Sequence, residues 1–117
     1  MKLATFRVET PVGPFDRFGV VLLDGGPSDT IENSRQGRGR IVDVNFAHAA
    51  MEADGGSLNP TGRADAFCPS DLQRYGELHG TDWSLVKGAV AWAEAHSDAE
   101  GPRGETLVWA LNDIALQ

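Results

Sequence analysis

The apolar residues of this chain change period partway along it. Up to residue 44 they fall in short extended runs, around Leu3 to Val8, Phe15 to Leu23 and Arg40 to Val44, rich in β-branched and aromatic side chains. Thr10-Pro11-Val12-Gly13-Pro14 and Asp24-Gly25-Gly26-Pro27 interrupt these runs with turn chemistry. Beyond Gly80 the pattern becomes helical: Leu85, Ala89, Trp92 and Ala93 form a 3.6-residue stripe, with Val86 and Val90 at its edges. A half-apolar sheet and a half-apolar helix can each bury their surface against the other. The expected fold is therefore α+β: a small antiparallel sheet from residues 2 to 9, 16 to 23 and 40 to 44, packed against helices in a single domain over 1–117.

Between these anchors the local signals are weaker. Asn45 is positioned to cap a helix over Phe46 to Ala53 that Gly55-Gly56 stops, with Phe46 and Ala50 or Met51 on its buried side. Pro69-Ser70-Asp71 opens a helical segment carrying Leu72, Tyr75 and Leu78, and Thr81 or Asp82 caps the helix that runs to about His96. Glu105 to Trp109 reads as extended, and Leu111 to Leu116 as a last short strand. The polar stretch from Gly26 to Gly39 is long for a hairpin connection and is expected to be more mobile than the strands beside it.

Several function classes are disfavoured. Seventeen acidic against ten basic residues give a formal charge of -7, and the densest basic stretch, Arg35 to Arg40, runs straight into a strand; nucleic acid is not expected as a partner. The amino terminus lacks the apolar core of a signal peptide and no stretch approaches a membrane span, so a cytoplasmic address and no membrane partner are expected. Cys68 is the single cysteine, which excludes an intrachain disulfide and a Cys-rich zinc site and reads as a packed thiol. His48, His79 and His96 lie in separate segments, and none pairs with another at the four-residue spacing that places two imidazoles on one metal. Phosphate-cradling glycine motifs and a nucleophile elbow are missing, and the carboxylates, Asp16/Asp24 and Asp43/Glu52 among them, are scattered. No catalytic, cofactor-binding or metal-binding residue is assigned within the chain.

Four segments carry a resemblance: Met1-Lys2-Leu3-Ala4-Thr5-Phe6, Arg17-Phe18-Gly19-Val20-Val21, Gly39-Arg40-Ile41-Val42-Asp43-Val44-Asn45 and Ala64-Asp65-Ala66-Phe67-Cys68-Pro69-Ser70-Asp71-Leu72. In this order, with Glu94-Ala95-His96 and Gly101-Pro102-Arg103-Gly104-Glu105 following, the chain resembles the amino-terminal domain of fumarylacetoacetate hydrolase family proteins, among them the 2-hydroxyhepta-2,4-diene-1,7-dioate isomerases. The resemblance implies a longer parent enzyme, a hydrolase or isomerase acting on 2-oxo or 2,4-dioxo acids. Its separate catalytic domain would hold Mg²⁺ or Mn²⁺ to stabilise an enolate. It also implies that the 117-residue chain is inactive alone, with the metal ligands and general base lying after Gln117. Two features depart from the family pattern: the segment from Gly26 to Arg38 is longer and more polar, and the chain stops before a catalytic domain.

The partner implied is that catalytic domain in cis, or a related subunit in trans. The alternative is a stand-alone interaction or regulatory domain without enzymatic activity. Apolar residues at a chain end lose hydrophobic stabilisation if left in water. Ile114 and Leu116, with Phe15 after a proline and Trp83 at a helix start, are accordingly the candidate interface residues, for a catalytic domain or for a second copy in a homodimer.

Overall fold

The computed structural model describes residues 2–10, 13–23, 39–96 and 98–116, without the side chains of 9, 10, 112, 115 and 116. The expectation for the stretch from Gly26 to Gly39 falls almost wholly outside these residues. The chain forms the expected α+β fold. Strands β1 (Lys2–Thr10) and β2 (Gly13–Leu22) pair over their whole length, from Lys2 opposite Val21 to Thr10 opposite Gly13. Gly13 takes a φ of +117°, where an L side chain would be strained. Strand β3 (Arg40–Asp43) adds to β2, and four helices follow: α1 (Val44–Asp54), α2 (Pro60–Phe67), α3 (Leu72–His79) and α4 (Ser84–Ala95). The chain then returns as β4 (Val108–Ala110), a 3₁₀ turn (Leu111–Asp113) and β5 (Ala115–Leu116). Sheet order is β4-β3-β2-β1-β5, every neighbour antiparallel.

Strand alternation divides the apolar residues between two faces. Leu3, Phe18, Val20, Leu22, Val42 and Val108 face the helices and join Val44, Ala47, Cys68, Tyr75, Val86, Ala89, Val90 and Ala93 in the main core. On the other face Ala4, Phe6, Val21, Ile41 and Trp109 meet Leu111 and Ile114. The carboxy-terminal segment leaves one sheet edge after β4, lays Leu111 and Ile114 across the second face, and ends beside β1 at the other edge. A sheet this small would otherwise be wet on one side; both faces are covered by the chain itself.

Several expectations are refined. Helix α1 starts earlier than expected: Asp43, the last residue of β3, is its cap and accepts the Phe46 N–H, while Asn45 lies inside the helix. No loop separates strand from helix. Helix α2 lacks an apolar stripe and was not expected; Asn59 caps it, accepting the Gly62 N–H, and Pro60 occupies its first turn, where a missing N–H costs nothing. Asp71 caps α3 through the Gln73 and Arg74 amides. In α4 the buried residues are Val86, Ala89, Val90 and Ala93. The stripe is thus rotated toward the valines, leaving Leu85 and Trp92 half-buried and the Trp92 ring stacked on His96. Instead of one strand from 111 to 116, the terminus turns first, so that Leu111 can enter the second core.

Candidate functional site

Among the described residues, a polar constellation lies where β2, β3 and α1 meet. Arg17 lies in β2 and Asp43 ends β3, and register places them on one face, beside Gly19, whose Cα partner is Asp43. A Cβ at Gly19 would run into the Val42 carbonyl oxygen and come within 2.9 Å of Ile41 Cγ1. Glycine lets the strands close at this point. Arg17 Nε donates to Asp43 Oδ2 at 2.5 Å and its Nη2 donates to Asp43 Oδ1 at 3.0 Å, a two-pronged pairing. The same Nη2 donates to Asn45 Oδ1 at 2.9 Å, and the guanidinium lies 3.6 Å from the centre of the Phe46 ring.

The network continues into the following helices. Asn45 Nδ2 donates to Asp65 Oδ1 at 3.1 Å and to the Cys68 carbonyl at 3.0 Å, joining α1 to the end of α2. The Phe18 N–H donates to the Ser70 carbonyl, and the Asp43 N–H to that of Leu107. Asp43 is fully buried. Burial pushes its carboxyl above the usual carboxylate value, while Arg17 and the Phe46 amide pull the other way. Burial also pushes the Cys68 thiol up to about 12, with the Asp43 charge adding to the effect. A thiol so placed stays protonated at neutral pH and is a poor nucleophile.

A second polar cluster lies further along α1. His48 Nε2 is 3.3 Å from Glu52 Oε1, and Arg63 Nε of α2 is 3.1 Å from Glu52 Oε2. Asp43 and Glu52 therefore belong to separate networks at opposite ends of one helix. A groove of about 680 Å³ runs along Met51, Glu52, the turn from Gly55 to Asn59 and Arg63. A smaller cleft of about 270 Å³ borders Arg17, between Asp16, Ser70, Asp71 and Gln73. Its carboxylates are engaged, Asp16 by Arg7 at 3.0 Å and Asp71 as the α3 cap.

The candidate interface residues are not brought together. Phe15 is 51% exposed and sits opposite Val8 in the part of the β1–β2 hairpin that extends beyond β3. Trp83 is half-buried, its ring stacked on Tyr75 at 5.2 Å. The expectation of open apolar surface at Ile114 is corrected: it is only 8% exposed because the 3₁₀ turn folds it onto Phe6, Val21 and Ile41. Leu116 pairs with Phe6 in β5, and its side chain lies outside the described part. His79 Nε2 contacts the Phe67 carbonyl, and His96 Nδ1 that of Trp92.

Among the described residues no three His, Cys, Asp or Glu side chains converge on a point where a metal ion could bind. The described residues thus do not fit the divalent ion that the family resemblance implies. No helix among them is long and apolar enough to cross a membrane. Sequence reasoning missed the Arg17–Asp43–Asn45 network, whose partners lie far apart in the chain. Comparison with protein-family models, curated proteins and solved structures finds no match.

Proposed function

We propose that the chain is a non-catalytic accessory domain of a fumarylacetoacetate hydrolase family enzyme, a hydrolase or isomerase of 2-oxo or 2,4-dioxo acids. One observation carries this reading. Three of the segments that bear the resemblance clasp one another: Arg17 comes from the second, Asp43 and Asn45 from the third, and Asp65 and the Cys68 carbonyl from the fourth. Residues that characterise the pattern spend their hydrogen-bonding capacity on holding strands and helices together. That is what a domain selected for shape and packing requires. In this reading the Mg²⁺ or Mn²⁺ and the proton-transfer groups belong to a catalytic domain, in cis or on a related subunit. The half-exposed Phe15 is the residue of this chain best placed to meet that domain.

The test is direct. The isolated chain, incubated with acylpyruvates and Mg²⁺ or Mn²⁺ and followed by loss of the dioxo chromophore, should show no turnover. Turnover that survives repurification would overturn the proposal. Mixed with a catalytic domain of that family, the chain should bind it, and Phe15→Ser should weaken binding without unfolding the chain. A folded chain that binds no such domain favours the alternative, a stand-alone interaction domain.

A further inference from the structure

His48 is a buried ring with one unsatisfied nitrogen. It is 3% exposed, and among the described residues its Nδ1 has no hydrogen-bond partner. Its Nε2 faces Glu52, so the neutral tautomer with the proton on Nε2 donates there and leaves Nδ1 as a bare lone pair. Protonation would put an N–H where no acceptor lies among the described residues. An unmatched buried donor that also carries charge is costly, so the ring must either stay neutral or leave.

The surroundings do not remove this conflict. Glu52, one turn further along α1, favours a charged ring; Arg63, from α2, opposes it and competes for the same carboxylate. From β2 and β3 the charged groups at α1 are Arg17 and Asp43, paired with each other at its first turn. Helix α4 packs on α1 through Val86, Ala89, Val90 and Ala93, while Lys87 and Glu94 are exposed. Burial outweighs Glu52, and the ring is harder to protonate than a free imidazole.

We propose that His48 is an acid-operated release for the junction between α1 and α2: on protonation the ring leaves its buried position, the two helices separate along Glu52 and Arg63, and the groove beside Met51 opens. The unfolded or opened chain takes up a proton near the ordinary histidine value of about 6.5, whereas the closed form resists it. Each pH unit below that value therefore multiplies the open population by up to about ten. The release is local, because the Arg17–Asp43 pair at the other end of α1 does not depend on the ring.

Imidazole NMR of the wild-type chain between pH 8 and 5, with amide hydrogen exchange corrected for its intrinsic pH dependence, tests this. His48 should titrate below the ordinary histidine value of about 6.5. At pH 5.5 the amides of residues 48–54 and 60–67 should exchange up to about tenfold faster than at pH 7.5, relative to those of β1 to β3. In His48→Gln, whose amide can still donate to Glu52, that excess should vanish. Should this variant not fold, Glu52→Gln serves instead: it removes the carboxylate that favours a charged ring in the closed form, so the closed form resists protons more and the acid-driven excess should be at least as large as in the wild type. A His48 that charges at pH 6.5 or above while exchange is unchanged overturns the proposal. So does an excess that persists in His48→Gln, or one that is lost in Glu52→Gln.

Discussion

Helix α1 is held at both ends by charged side chains, and the two ends are built differently. At the amino-terminal end Arg17, Asp43 and Asn45 come from three elements; each is paired, and Arg17 is capped by an aromatic ring. Further along, His48, Glu52 and Arg63 form a chain with a bare nitrogen at its buried end and a solvated guanidinium at the other. The contrast teaches what burial demands of charge. A buried ion pair whose hydrogen bonds are all met locks elements together, whereas a buried neutral ring left partly unmet would make the same helix sensitive to protons.

Removing Arg17 should have the largest effect. Arg17→Leu strands a carboxylate that is fully buried, and stability at neutral pH should fall by about 3–5 kcal/mol, measured by urea unfolding. The sign of its pH dependence follows from the raised Asp43 value. A carboxyl whose folded pKa lies above its unfolded one takes up a proton on folding, so its contribution improves as pH falls. The deficit of Arg17→Leu should accordingly shrink between pH 8 and 5, and a constant deficit would mean that Asp43 is not the stranded charge.

Gly19→Ala attacks the same end through the backbone. The added methyl would meet the Val42 carbonyl, and forcing β2 from β3 should cost about 1–3 kcal/mol. A neutral result would show that the strands separate without strain. Next is the pH dependence at the other end. With its folded pKa lowered, His48 supports stability above about pH 6.5, and that support declines as pH falls, at up to about 1.4 kcal/mol per unit. His48→Gln should flatten this slope, which runs opposite to that of Asp43. Smallest is Arg63→Ala: its side chain is 54% exposed, and the loss should be at most about 1 kcal/mol, diminishing with salt. A loss as large as that of Arg17→Leu would erase the distinction between the two ends.

How much of this was legible follows from range. The extended runs at Leu3 to Val8 and Phe15 to Leu23 located two strands, because β-branched and aromatic content bounded by turn residues is a local property. Asp71 was readable as a helix cap, since its acceptor reaches amides only two and three residues on. Helix α2 was not, because Pro60-Thr61-Gly62-Arg63-Ala64-Asp65-Ala66-Phe67 buries only Ala64 and so carries no stripe. Asn59-Pro60 was its one local sign. The shift of the α4 stripe from Trp92 toward Val86 and Val90 depended on which neighbours α4 meets, not on its own periodicity.

The sequence by itself determined the fold class, the main strands and the helical second half, because these rest on periods and caps that act within a few residues. Only the tertiary structure decided where Arg17 finds its partner, twenty-six residues away in Asp43, and that Asp43 serves a strand, an ion pair and a helix cap at once. It also decided that Ile114 covers a sheet face of its own chain. A terminal apolar run reads alike whether it meets a partner or folds back. The difference is set by which face the sheet leaves open, and that exists only once the strands have paired.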